Sequence, residues 1–313
     1  MIMTVAGPIP ADELGATLIH EHLYCDISPF SGKADNILTD EETMIGELAY
    51  FRAAGGRTIV EVTPEGIGRN PVALRRISLA AGVRIVAGIA FYDEATVPDW
   101  AKIAGEAEIA DYFVRQLEKG ADGVRAGVIG ELYSHNEPHP DPASYRLTEF
   151  ELTVFRAAAR AQRRTGAPIL THASLGRGGH AQLAALETAG ADPARIAIGH
   201  CDAHWHEDPE QDLAYYLPIL ERGAFCAFDL IGWTELMPDA LRAARLAALI
   251  RQGYASHLLL SSDTCRRSHL HAHGGRGYDN IWRTFLPLLR QHGVTDEEIQ
   301  TMLVEAPRQL LTG

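Results

Sequence analysis

Thr17-Leu-Ile-His-Glu-His22 is the stretch on which the reading of this 313-residue chain turns. A short apolar run closes on two histidines one residue apart, and in a β-strand side chains two apart share a face. His20 and His22 therefore present two imidazoles side by side, a spacing that suits a metal ion. The pair alone does not decide the matter. With 14 histidines in the chain, chance supplies about 0.6 His-x-His pairs, and four occur. His204/His206, His269/His271 and His271/His273 lie in polar, Gly- or acid-flanked stretches that read as loops, and only His20/His22 ends a strand-like run. The competing reading is a strand whose histidines hydrogen-bond within a core.

Around this stretch the chain reads as an ordinary globular protein, 46% hydrophobic and 22% charged. Its 28 basic and 41 acidic residues leave a formal charge of −13, which disfavours nucleic acid or an anionic membrane as a partner. Cys25, Cys201, Cys226 and Cys265 are far apart and form no C-x-x-C, so they read as reduced thiols. The first fifteen residues carry Asp12 and Glu13 and lack a basic, apolar leader pattern. No apolar run approaches the thickness of a bilayer. A cytoplasmic protein acting on a small-molecule substrate is expected.

Eight apolar, β-rich runs recur at 17–22, 57–63, 83–91, 125–132, 167–173, 196–202, 224–230 and 257–263. Between them, helix-period spacing marks 40–54, 101–117, 148–164, 210–222 and 238–252, with Gly55, Gly120, Gly166, Gly223 and Gly253 placed as helix terminators. Near-continuous apolar strands alternating with helices imply a parallel sheet covered by helices, and eight such units imply one (β/α)8 TIM barrel over 1–313. A short N-terminal capping segment (1–16) and a C-terminal helix (296–311) complete it. A doubly wound open sheet is the alternative, weakened by the lack of a Gly-rich phosphate loop after the first strand.

The titratable residues fall at one end of these strands. His20 and His22 close the first, Glu131 the fourth, His172 the fifth, His200 the sixth and Asp263 the eighth. That is the face on which barrels of this kind place their active sites. Burying six such groups together is costly unless they are paired or bind metal. Four imidazoles and two carboxylates can hold two divalent ions, Zn²⁺ being well suited, with Mn²⁺, Co²⁺ or Fe²⁺ as alternatives.

The runs Gly15-Ala-Thr-Leu-Ile-His-Glu-His-Leu23, Ala54-Gly-Gly-Arg-Thr-Ile-Val60, Gly66-Ile-Gly-Arg69, Phe91-Tyr92, Thr171-His-Ala-Ser174, Gly199-His-Cys-Asp202, Ser262-Asp263 and Gly274-Gly-Arg-Gly-Tyr-Asp279 together resemble the phosphotriesterase family of the amidohydrolase superfamily. The resemblance implies that His20, His22 and Asp263 hold a more buried metal and His172 and His200 a more exposed one. The enzymes that name the family bridge the two ions with a carboxylated lysine on strand four. This strand has none, and Glu131 stands as the bridging carboxylate, as in the glutamate-bridged phosphotriesterase homology and phosphotriesterase-related branch. A homodimer is also implied.

Two divalent ions roughly 3.5–4 Å apart lower the pKa of a shared water towards neutrality. The hydroxide so formed is expected to attack a carboxylic ester or lactone, with Asp263 accepting its proton and passing it to the leaving group. Hydrolysis of an N-acyl amide at the same site is the alternative, with phosphotriester hydrolysis as a side activity, and a non-catalytic metal-containing barrel is the third. Tyr92 resembles the tyrosine that lactonase members place near the metals. Those members carry an arginine after the strand-seven Asp, where this chain has Leu230, followed by Trp233, a candidate pocket wall. The loop 264–278 holds Arg266, Arg267, Arg276, His269, His271 and His273 and no acidic residue, and Arg177 follows strand five. In an acidic protein such a local bias focuses anions, so a substrate with a distal anionic group, contacted by Arg276, is expected.

Overall fold

The computed structural model describes residues 1–136, 144–203 and 209–312. Eight parallel strands follow one another round a barrel: β1 (Thr17–Glu21), β2 (Thr58–Glu61), β3 (Arg84–Ile89), β4 (Val128–Ser134), β5 (Ile169–Ala173), β6 (Ile196–Ile198), β7 (Phe225–Phe228) and β8 (Leu258–Leu260). The hydrogen-bonded ladder runs unbroken from β1 to β8. The last seam is closed by a side chain. The Ser261 hydroxyl accepts from the His20 N–H at 3.0 Å and lies 2.8 Å from both the His20 carbonyl and Glu21 Oε1.

The continuous apolar runs are explained by burial on both faces. Leu18, Ile59, Ile85, Ile129, Ile169, Ile198, Cys226 and Leu258 point outward to the helices, and Ile19, Val60, Val86, Val128, Leu170, Ala197, Phe225 and Leu259 fill the barrel, one from each strand. Ile2 and Leu14 from the N-terminal segment, with Leu310 and Leu311 from the final helix Ala306–Thr312, seal this layer from below. The hairpin Ile2–Thr4/Gly7–Ile9 thus caps the base and leaves the opposite mouth for chemistry.

The five glycines expected to end helices all have positive φ, from 71° to 115°, a conformation that costs glycine little. The stretch expected to be helical over 101–117 breaks at Ala104-Gly105 into Asp99–Ile103 and Glu106–Glu118. Two helices, Pro71–Ala81 and Gly179–Thr188, had no place in the periodicity reading. The C-terminal helix is interrupted by a π-turn at Thr301–Glu305. All four cysteines are free and buried. Among the described residues no helix is long and apolar enough to cross a membrane.

Strand ends differ from expectation in a way that matters. Glu131 lies within β4, not at its end, while His200 and Asp263 fall beyond β6 and β8. Simple alternation after Ile19 and Val128 would turn His20 and Glu131 outward. The β1–β2 ladder shifts register between Leu18 and Glu21, and the β4–β5 ladder between Ile129 and Leu132. Such a slip moves side chains to the other face, and here it brings His20, His22 and Glu131 into the mouth.

Candidate metal centre

The six residues singled out as ligands meet in that mouth. Glu131 Oε2 lies 3.0 Å from His20 Nε2 and 2.8 Å from His172 Nδ1, and Glu131 Oε1 is 3.5 Å from His22 Nε2. His22 Nε2 is 3.3 Å from Asp263 Oδ1, and His200 Nε2 is 3.0 Å from His172 Nδ1. Two groups able to hold an ion result, His20/Glu131/His172/His200 and His20/His22/Asp263, with His20 common to both. His200 and Asp263 adopt left-handed backbone, φ 55° and 43°. Left-handed backbone at non-glycine residues clusters at functional sites, though Asp122 adopts it in a turn away from the mouth.

Behind the donors stands a layer that orients them. Asp229, just past β7, sets Oδ2 2.9 Å from His20 Nδ1, and its Oδ1 accepts from both the His200 N–H and His200 Nδ1, at 2.8 and 2.9 Å. His22 Nδ1 meets Thr63 Oγ1 at 2.8 Å, and that hydroxyl donates to Glu61 Oε1 at 2.5 Å. Glu21, between the paired histidines, points away from them and accepts from the Ser262 and Thr264 N–H groups, each at 2.7 Å, pinning the backbone on both sides of Asp263. Metal-binding histidines characteristically give their second nitrogen to such acceptors. Sequence reasoning missed Asp229 in this role; a carboxylate beyond a barrel strand was the available signal.

Burial opposes charge on every carboxylate here, yet the His172 and His20 rings hold Glu131 well below the usual range. His22, with His200, does the same for Asp263. Asp229 is lowered to about 2 by His200 and His20 against the same penalty. Conversely, facing carboxylates overcome burial to raise His20, His22 and His200 above 6.5. His172 is lowered, because burial, aided by the neighbouring His200 ring, outweighs Glu131. Two ring nitrogens, His200 Nε2 and His172 Nδ1, face each other at 3.0 Å, and His20 Nε2 is buried and makes no hydrogen bond although Glu131 Oε2 is 3.0 Å away. A divalent ion accepts such lone pairs, so the donor set fits one.

The residues expected to touch substrate divide. The Tyr92 ring lies 5.5 Å from that of His172 and 4.4 Å from that of Tyr133, which itself lies 5.4 Å from His172 and was not anticipated. Trp233 is only 7% exposed, packs with Leu230 and Cys265, and donates its indole N–H to the Ser262 carbonyl at 2.9 Å. Arg276 donates to the same carbonyl at 3.0 Å, and its Nε is buried without a partner. The basic loop as a whole is not an open cationic face. Arg267 donates to the Ile37 carbonyl, His271 pairs with Asp279, and Glu47 accepts from the His271 and Ala272 N–H groups. Arg266 and Arg276 remain, flanking Trp233 at 4.3 and 5.7 Å and making no ion pair among the described residues. Arg177 closes the turn after β5 through its backbone. His204 and His206 lie outside the described residues.

This constellation agrees with what the chain is similar to. The sequence model of the phosphotriesterase family matches residues 1–311. The chain belongs to the phosphotriesterase family. The phosphotriesterase homology protein of Escherichia coli is 36% identical over 300 residues, 95% of this chain and 98% of that protein. Its crystal structure, with phosphate in the active site, superposes with a TM-score of 0.87 over 96% of this chain and 100% of that one. Human N-acetyltaurine hydrolase is 30% identical, covering 99% of this chain and 97% of that protein. A mutant of a phosphotriesterase-like lactonase from Deinococcus radiodurans is 34% identical, with a TM-score of 0.83 over 99% of this chain and 100% of that one. As a member of the phosphotriesterase family with this His/Glu/Asp cluster, the protein is a metal-dependent hydrolase.

Proposed function

We propose that the protein hydrolyses a carboxylic ester or lactone bearing a distal anionic group, using two divalent ions held by His20, His22, Glu131, His172, His200 and Asp263. The observation that carries this reading is the pair of overlapping donor groups sharing His20, with Glu131 oxygens facing three of the rings. Bound divalent ions, zinc in the first instance, supply Lewis acidity: they acidify water and polarise an acyl oxygen.

The chain's own residues supply the rest. Asp263 faces His22 from a backbone fixed by Glu21 and is the base that takes a proton from the attacking water and returns it to the leaving oxygen. Tyr92, beside His172, orients the carbonyl or leaving oxygen with its phenol. Trp233 walls the pocket, and Arg276, whose guanidinium has unspent donors, takes the distal anion.

A second reading, hydrolysis of an N-acyl amide whose amine portion carries the anion, is favoured by the N-acetyltaurine hydrolases, 28–30% identical along nearly the whole chain. Phosphotriester hydrolysis would be a side activity under either reading. A panel of lactones, carboxylic esters, N-acyl amino acids and N-acyl aminosulfonates, run with elemental analysis, separates the two. Turnover of lactones and esters well above amides supports the first reading, and the reverse order supports the second. A protein with a single bound ion and no turnover would refute both.

A further inference from the structure

Arg242 is a fully buried arginine outside the donor cluster, on the helix Asp239–Arg251 that follows β7. Its Nε donates to Asp202 Oδ2 at 2.7 Å, and one terminal nitrogen donates to Asp239 Oδ1 at 2.9 Å and to the Met237 carbonyl. The other terminal nitrogen donates to the Trp233 carbonyl at 3.2 Å. Burying a guanidinium costs several kcal/mol unless its donors are satisfied, and four bonds answer that requirement here. Asp202, also fully buried, turns its oxygens to the chain just past β7: Oδ2 accepts from the Leu230 N–H at 3.0 Å and Oδ1 from the Asp229 N–H at 3.2 Å. Asp229 in turn grips His20 and His200.

We infer that Arg242 is a positioning residue for the metal centre, acting through Asp202 and the Asp229 backbone on the two histidines and, through the Trp233 carbonyl, on the pocket wall. This rests on the metal reading proposed above. Asp202 is thereby an anchor, with Arg242 and two backbone N–H groups already on its carboxylate.

The test uses the full chain as wild type, R242M, R242K and D202N, loaded with Co²⁺. Affinity is read by chelator competition, ligand geometry by the visible spectrum, and folding by circular dichroism with and without metal. R242M is expected to bind Co²⁺ about 10- to 100-fold more weakly, with an altered spectrum. R242K should recover part of this, since lysine keeps the charge but not the planar fork. D202N, which keeps the volume but not the charge, should also weaken binding, and it reads the same link if R242M does not fold. A purely structural role would lower the melting temperature and leave the folded protein's affinity and spectrum unchanged. Wild-type affinity and spectrum in folded R242M or D202N would overturn the inference. Absence of Co²⁺ uptake by wild type would overturn the metal reading instead.

Discussion

Replacing Asp229 by asparagine changes two atoms and puts two ligands at risk. The carboxylate sets one oxygen 2.9 Å from His20 Nδ1, and on the other accepts from the His200 N–H and Nδ1 at 2.8 and 2.9 Å. An amide has only one acceptor oxygen, so its NH₂ must confront one ring. That ring then has to move its proton to Nε2, the nitrogen facing the donor cluster, or break the contact. Loss of such an orienting partner typically weakens metal binding about 10- to 100-fold, or about 1.4–2.8 kcal/mol. A second effect needs no metal. Asp229 is fully buried and its pKa is lowered from 3.8 to about 2, which corresponds to roughly 2 kcal/mol of stability. Because the folded value is depressed, that contribution is present above the unfolded pKa and is lost as pH falls through about 2. D229N should therefore lower the melting temperature of metal-free protein at pH 7, and by less as the pH is taken below 4. Calorimetry in chelator and metal titration by competition measure the two effects. An unchanged metal-free melting temperature together with metal affinity within twofold of wild type would refute the role given to Asp229.

Other consequences are as direct. Glu21→Gln leaves one acceptor for the two backbone N–H groups beside Asp263, so kcat should fall about tenfold with KM nearly unchanged, which steady-state kinetics checks. Charge reversal at Arg276 should raise KM for an anionic substrate by about 10- to 100-fold, the worth of a charge-assisted hydrogen bond, and leave an uncharged analogue unaffected; equal effects on both would remove Arg276 from substrate binding. His20, His22 and His200 are raised above 6.5, so their stabilisation is complete below the unfolded value and lost as pH rises through the folded ones. Metal-free protein should thus lose thermal stability as the pH rises above about 6.5, while metal binding tightens in the same direction as protons leave the rings. Gly199→Ala would place a Cβ 2.0 Å from the Thr171 carbonyl oxygen, and the variant should fail to accumulate as folded protein in a solubility assay.

Much of this was legible in the residues, because barrel strands buried on both faces leave apolar runs and ligands gather where those runs stop. The outlying pieces were less so. Strand alternation from Ile19 or Val128 would have sent His20 and Glu131 outward, and the register shifts that turn them inward depend on pairing with β2 and β5, which no local pattern encodes. Asp202 and Asp229 stand at strand ends that the sequence marks, but their link to each other and to Arg242 carries no spacing signature, since what joins them is the stacking of β6, β7 and the next helix. The basic loop misled for a related reason: its partners Asp35 and Glu47 lie far from it in sequence and fold onto it, and Asp279 follows directly after its end.

The shared carboxylate is the point on which the metal centre stands or falls. Diffraction from zinc-loaded crystals at the zinc absorption edge should show two anomalous peaks in the barrel mouth, with Glu131 bonded to both. A single peak, or two peaks with Glu131 bonded to neither, would contradict the account.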